Sequence, residues 1–250
     1  MSRVVYVTGA ASGNGWSIAD RFLKAGDNVI AVDLDGVALE KRRKEDWAKF
    51  DKQLLCLQGD VTQEEVVDAT IAAAREAFGQ IDVLVNNAGI TGNQEATVIH
   101  STPMEEYDRV MAVNVRAIFL ICRAVLPEMM ERGEGIIVNI ASVAGMVAFP
   151  GRAAYTASKG AVIQLTRALT ADYAKHGIRA VAVCPGIIET PMTKWRLDQP
   201  ELRNALLERV PQHDIGMPED VANAVFYFAS PEARYFNGAA LAMDGGYVAI

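Results

Sequence analysis

Seven short apolar runs, rich in β-branched residues, punctuate the chain: VVYVTG (4–9), NVIAVD (28–33), QLLCLQ (53–58), IDVLVNN (81–87), GIIVNIAS (135–142), IRAVAVC (178–184) and AALAMD (239–244). They are near-continuous rather than alternating, the pattern of strands covered on both faces. Between them, apolar residues recur at helical spacing over about 15–26, 36–50, 63–78, 104–132, 152–176 and 218–229. Gly26, Gly79, Gly133 and Gly177 stand where four of these helices should stop. Strand and helix in strict alternation predict an α/β fold with a doubly wound parallel sheet. No linker or low-complexity tract interrupts it, so a single domain over 1–250 is expected. One stretch breaks the rhythm. PGIIETPMTKWRLDQPELRNALLERVPQ (185–212) lengthens the last crossover, and long connections in compact domains tend to carry function. The region of about 185–215 is therefore expected to form a substrate loop.

Composition narrows the class. Of 250 residues, 51% are hydrophobic, enough for a large core and too many for a disordered chain. A net charge of −7 with no long basic block argues against nucleic acid as a partner. The cluster KRRK (41–44), followed by Glu45 and Asp46, reads as a solvated helix face. Cys56, Cys122 and Cys184 sit in apolar runs without metal-type spacing, which reads as reduced, buried and cytoplasmic. MSRVVYVTG enters a strand without a secretory signal, and the most apolar stretch, 110–126, is interrupted by Asn114, Arg116 and Arg123, so no membrane span is expected. His100, His176 and His213 are scattered and suggest no metal site.

The first strand ends in TGAASGNG (8–15), with Ser12 and Asn14 interleaved among Gly9, Gly13 and Gly15. Glycines at a strand-to-helix turn let a diphosphate approach the backbone, while the helix start offers free N–H groups and positive potential. Asp33, ending the second run, can accept hydrogen bonds from an adenosine ribose and would repel a 2′-phosphate. Leu34 follows it where a base would suit NADP, so NAD is the expected cofactor. The alternative for Asp33 is a cap on the next helix. Asp60 and Val61 close the third strand and could meet the adenine. Asn87, Ala88 and Gly89 of NNAG (86–89) close the fourth, as residues crowded beside a ligand or as turn punctuation.

A second constellation points to chemistry. In FPGRAAYTASKGA (149–161), Tyr155 and Lys159 lie four apart and share a helix face. An ammonium beside a phenol favours phenolate and would lower the tyrosine pKa from about 10. Such a group can take a proton from an alcohol. Ser142 ends the fifth strand, where its hydroxyl could bind the reacting oxygen. Asn114 lies within an apolar helix, where an unpaired amide is costly. It is expected either to hold a water near Lys159 or to be a satisfied core amide.

Taken together, TGAASGNG, NNAG, Asn114, Ser142 and YTASK resemble the short-chain dehydrogenase/reductase family over essentially the whole chain. The resemblance implies a seven-stranded sheet ordered 3-2-1-4-5-6-7 and a tetrad of Asn114, Ser142, Tyr155 and Lys159. Lys159 would also hold the nicotinamide ribose. Pro185, Gly186, Ile188 and Thr190 would lie beside the nicotinamide, with Ile188 reaching the carboxamide by its backbone and Thr190 by its hydroxyl. A homotetramer is implied as well, in keeping with surplus apolar surface on 104–132 and 152–176.

The substrate is sought in residues peculiar to this chain. Arg152, Met192, Trp195 and Arg196 suggest an apolar wall with two arginines, fitted to a small molecule with an anionic tail. Pairing of the arginines with Glu189, Asp198 or Glu201 is the alternative. The leading expectation is an NAD-dependent enzyme interconverting a secondary alcohol and a ketone. A 3-oxoacyl reductase and a nucleotide-sensing module without turnover are the competing readings.

Overall fold

The computed structural model describes residues 2–250. β1 (Val4–Thr8), β2 (Asn28–Asp33) and β3 (Leu54–Gln58) form one half of the sheet. β4 (Val83–Asn86), β5 (Gly135–Ile140), β6 (Ile178–Pro185) and β7 (Ala240–Met243) form the other. All pairings are parallel and the order is β3-β2-β1-β4-β5-β6-β7.

Alternation along the strands divides the core in two. Val4 and Tyr6 of β1 face a cluster shared with α3 (Glu64–Phe78), α5 (Ala117–Arg132) and α6 (Ala153–Tyr173). Val5 and Val7 face the other cluster, shared with α1 (Gly13–Lys24), α2 (Gly36–Glu45) and α9 (Pro218–Phe228). Both faces of the inner strands are thereby dry, which is why their sequences read as unbroken apolar runs, whereas the edge strands β3 and β7 are only part-buried. The chain winds one way from β1 to β3 and the other way from β4 to β7. Ligands of such sheets bind where the order reverses, beyond the carboxyl ends of β1 and β4.

Three predicted elements are subdivided. The pattern over 104–132 is α4 (Met104–Met111), a five-residue π-type turn (Ala112–Arg116) and α5. The run Met104–Arg132 is long and apolar enough to cross a membrane by length and composition, and half of its apolar window is buried within this fold. Its exposed large apolar side chains are Met104, Phe119 and Met130; α6, expected to show a similar surplus, exposes none. The pattern over 36–50 stops at Glu45, and Trp47 turns fully inward before a short 3₁₀ turn. The stretch 185–212 is not a bare loop, since it carries α7 (Pro191–Leu197) and α8 (Pro200–Leu207), each opened by a proline in its first turn. Cys122 and Cys184 are buried as expected, whereas Cys56 is only half-buried, and all three are free thiols.

Gly133 and Gly177 end their helices with φ of 73° and 76° and meet where β5 and β6 begin. A methyl group on Gly177 would collide with the Gly133 carbonyl, whereas one on Gly26, whose φ is 90°, would meet nothing within 4 Å. Gly26→Ala is expected to lose about 1–2 kcal/mol from backbone strain alone. Gly177→Ala should lose at least about 2 kcal/mol more, because backbone cannot yield as a side chain can. Denaturant unfolding of the two variants checks the difference.

Candidate active site

A cavity of about 560 Å3 opens over the carboxyl ends of the strands on both sides of the β1–β4 reversal. Gly9, Ser12, Asn14, Asp33, Leu34, Asp60 and Val61 line one end, and Asn87, Ala88 and Gly89 the middle. Pro185, Gly186, Ile188 and Thr190 line it from beyond β6. Ser142, Tyr155, Lys159, Arg152, Met192, Trp195 and Arg196 complete the predicted set. Two predicted residues do not line it: Gly15 and Asn114.

Gly15 is buried, and a Cβ there would run into the Gly9 carbonyl and the Asn87 amide. The absence of a side chain there lets α1 pack closely on β1. Asn87 Nδ2 donates to the carbonyls of Thr8 (2.9 Å) and Gly9 (3.2 Å). The Thr8 hydroxyl accepts from the amides of Asn87 and Ala88, both at 3.0 Å. Ser12 precedes α1 in extended conformation and makes no side-chain cap, so the first helical amides keep no side-chain acceptor. Asn14 Oδ1 is buried without a partner. An orphan acceptor beside bare helix amides and glycines without Cβ fits a dinucleotide with its diphosphate at the helix start.

Asp33 is not a helix cap. Asp35 takes that role, accepting from the Ala38 amide at 2.9 Å. Asp33 instead accepts from the amides of Ala11 (2.8 Å) and Asp35 (2.9 Å), which fixes its carboxylate at the cavity rim. Asp60 accepts from the amide and hydroxyl of Thr62. The basic cluster of α2 is largely a solvated face with i,i+3 and i,i+4 ion pairs, but Arg42 departs from it. Its guanidinium lies over Trp16, pairs with Asp46 (2.9 Å) and donates to the Ala11 carbonyl (3.1 Å), clasping the glycine turn from behind.

At the chemical end, Ser142 Oγ accepts from the Ala144 amide (3.1 Å) and faces the Pro185 carbonyl (3.4 Å). Lys159 is buried and donates to the Ile140 carbonyl at 2.8 Å, with its Nζ 5.8 Å from the Tyr155 ring centre. The expected lowering of the tyrosine pKa is absent. Burial pushes the Tyr155 phenol up, the Ser142 hydroxyl pulls it partly back, and Lys159 is not among the causes. Burial also brings the Lys159 ammonium down to about 8. Desolvation acts on both groups toward their neutral forms and outweighs their mutual attraction.

Asn114 is a satisfied core amide. Its Oδ1 accepts from the Ile90 amide (2.8 Å), and its Nδ2 donates to the Ile90 carbonyl and to Ser158 Oγ, both at 2.9 Å. Ser158 in turn donates to the Tyr155 carbonyl at 2.7 Å. The π-type turn thus aims Asn114 so that it fastens the segment after Gly89 to the first turns of α6. A Cβ on Gly89 would sit 3.3 Å from both Asn114 Oδ1 and Lys159 Nζ.

Beyond the sixth strand, Gly216 bridges to Ile188, and Thr193 Oγ1 takes the Ile188 carbonyl at 2.5 Å. Among the described residues neither Arg152 nor Arg196 has a carboxylate partner. Glu189 pairs with Arg203 and Asp198 with Lys194 instead. Arg196 lies over the Trp195 ring at 4.7 Å, and its pKa is lowered by burial and by the nearby charge of Arg152. Two cations therefore converge on one cavity without a counter-charge.

A family model described as enoyl-(acyl carrier protein) reductase matches residues 9–248. The chain is 61% identical over its full 250 residues, and the full length of the relative, to 2-(R)-hydroxypropyl-CoM dehydrogenase of Xanthobacter autotrophicus. The chain belongs to the short-chain dehydrogenase/reductase family. As a member of that family it is an oxidoreductase. A 3-ketoacyl-(acyl-carrier-protein) reductase from Brucella melitensis, solved with NADH, is a structural neighbour at TM-score 0.88 and 35% identity, covering 98% of both chains. ElxO, solved with NADP, matches at TM-score 0.92 and 30% identity over 100% of both. Short-chain dehydrogenases of this shape thus take either dinucleotide.

Several cavity residues escaped the sequence reading: Val113, Phe149, Leu206, Arg209 and Tyr247. Arg209 lies over the Tyr247 ring at 4.8 Å and Tyr247 against Phe149 at 5.7 Å. Leu206, Arg209 and Tyr247 come from α8, the residues just after it and the C-terminal segment, and only the fold brings them to the cavity.

The lowered Lys159 pKa has a definite consequence. Between about pH 8 and its ordinary 10.5, the buried lysine is neutral while the unfolded one still binds a proton, so stability rises with pH across that window. Compared with Lys159→Met, the parent should gain on the order of 2–3 kcal/mol between pH 7.5 and 10. Paired urea titrations without dinucleotide check this; parallel pH curves for the two proteins would contradict it.

Proposed function

We propose that this short-chain dehydrogenase/reductase interconverts a secondary alcohol and its ketone with NAD, on a substrate carrying an anionic tail. The candidate pair is 2-hydroxypropyl- and 2-oxopropyl-coenzyme M, a thioether ending in an ethanesulfonate. The observation that carries the reading is that Arg152 and Arg196, both free of acidic partners, face the same cavity as Ser142 and Tyr155. Guanidinium groups bind oxyanions through forked, charge-assisted hydrogen bonds. The likeness of ETPMTKWRLDQPEL (189–202) and FPGR (149–152) to the hydroxypropyl-CoM dehydrogenase points the same way.

When bound, the nicotinamide accepts or gives up the hydride. The protein's part is to orient and to move one proton. Ser142 Oγ, held by the Ala144 amide, hydrogen-bonds the reacting oxygen. The Tyr155 hydroxyl takes the alcohol proton or returns it to the ketone. Lys159 binds the ribose, Asn114 steadies Gly89 and α6, and Met192 and Trp195 supply the apolar wall along the thioether. Asp33 selects NAD, since a fixed carboxylate at the rim repels a 2′-phosphate. Exposed Phe119, with Met104 and Met130, supports self-association through α4 and α5, consistent with a homotetramer in the cytoplasm.

Arg152→Ala and Arg196→Ala should each lower kcat/KM for 2-oxopropyl-coenzyme M by about 100-fold, chiefly through KM, while butan-2-one loses far less. Tyr155→Phe should abolish turnover of both ketones. NADH absorbance reads all of these, and equal losses on the two ketones in the arginine variants would dismiss the anion grip.

For the cofactor, the parent should prefer NAD over NADP by about 100-fold or more in kcat/KM, and Asp33→Ser should narrow the ratio at least about tenfold. An unchanged ratio in the variant would remove Asp33 as the selector.

A further inference from the structure

Glu106 of α4 is almost fully buried, yet it carries a carboxylate. Its Oε1 accepts from the Asn93 amide (2.7 Å) and from Arg109 Nη2 (2.7 Å), and its Oε2 from Arg109 Nε (3.0 Å). The Asn93 contact fixes a tight turn. Gly92 adopts φ of +87°, and a Cβ there would strike Ala96 and lie 3.2 Å from Glu106 Oε1. Asn93 Oδ1 accepts from the amides of Glu95 (2.8 Å) and Ala96 (3.3 Å). The far side of this turn meets the start of α6. The Thr97 carbonyl accepts from the Ala153 amide at 3.1 Å, and the Ala96 carbonyl faces Arg152 Nη1 at 3.5 Å.

A continuous chain of polar contacts thus runs from a buried carboxylate to a cavity arginine that has no acid of its own. A buried charge is costly unless paired, and this one spends its hydrogen bonds on a loop amide and on Arg109. Arg109 also lines the cavity. Glu106 therefore does two things at once: it orders the 92–97 turn and neutralises Arg109, another guanidinium that lines the cavity.

We infer that Glu106 is a positioning residue for recognition of the substrate's anionic tail, acting through the 92–97 turn on Arg152. The inference rests on the reading that Arg152 grips that tail. Glu106 touches neither the reacting carbon nor the dinucleotide end, so its loss acts on tail binding rather than on the chemical step. A misplacement of about 1 Å is enough to cost an oriented contact on the order of tenfold or more.

The experiment measures kcat and KM with NADH for 2-oxopropyl-coenzyme M and for butan-2-one in the parent, Arg152→Ala, Glu106→Ala, Glu106→Gln and the Glu106→Ala/Arg152→Ala double variant. Glu106→Ala should raise KM for the anionic ketone about tenfold and leave its kcat within about twofold. Activity on butan-2-one should fall no more than about twofold, so the neutral ketone in the same preparation reports any folding defect. Glu106→Gln should lie nearer the parent, because its amide oxygen still accepts from Asn93. In the double variant, Glu106→Ala should add nothing to the loss caused by Arg152→Ala. Equal loss on both ketones, a full additive loss in the double variant, or tighter binding of the anionic ketone through a released Arg109 would each overturn the inference. If Arg152→Ala is selective and Glu106→Ala is not, only the role of Glu106 falls. If Arg152→Ala treats the two ketones alike, the tail reading falls and this inference with it.

Discussion

Everything at this site hangs on the knot that Asn87 ties between β1 and β4. One side-chain amide holds two consecutive carbonyls of the glycine turn, at 2.9 and 3.2 Å, while the Thr8 hydroxyl gathers the two amides that follow β4. Gly15 then presses α1 onto the same spot with no room for a Cβ. Parallel strands diverge at the point where winding reverses, and the gap would flood without such a clasp. With it, the diphosphate end, the crowded Gly89 and the reacting end hold fixed relative positions. Arg42 and Asp33 reinforce the same turn from the α2 side through the two polar atoms of Ala11.

Charge is distributed along the cavity with a clear sense. The acid lies at the dinucleotide end, in Asp33, and the uncompensated bases lie at the other, in Arg152, Arg196 and Arg209. The chain as a whole carries −7, so this basic end runs against the average. Neighbouring carboxylates could have quenched it, but Glu189 and Asp198 are engaged with Arg203 and Lys194. Arg109 is the exception that sharpens the pattern, since Glu106 does quench it. Selective pairing of one cavity arginine and not of the three others is what a directional anion site requires.

Much of this was legible in the sequence because it depends on local signals. Unbroken apolar runs gave the buried strands, and glycines after periodic segments gave the helix ends. The spacing of Tyr155 and Lys159 put both on one face of α6. What escaped depends on distance along the chain. Arg209 and Tyr247 reach the cavity only because α8 and the C-terminal segment fold back over it. Gly15 is a case in point, since motif spacing alone does not reveal that this glycine lets α1 lie against the Gly9 carbonyl and Asn87. Asn114 was ambiguous for a similar reason: its partners, Ile90 and Ser158, lie 24 and 44 residues away. The π-type turn that aims it has no sequence signature as plain as a proline or a glycine.

Proximity along the helix does not set the electrostatics of Tyr155 and Lys159. Four residues of helix bring an ammonium and a phenol close in projection. The ammonium, however, is turned to the Ile140 carbonyl, 5.8 Å from the phenol ring centre. At that separation, attraction competes with the loss of water around both groups, and burial prevails on each side: the phenol rises and the ammonium falls to about 8. Ser142 alone pulls the phenol toward ionisation. The cavity therefore keeps a proton on Tyr155 across the neutral range. In the proposed reaction that is the form that delivers a proton to a ketone oxygen. Desolvation prevails because the cation one turn along faces a backbone carbonyl instead of the phenol.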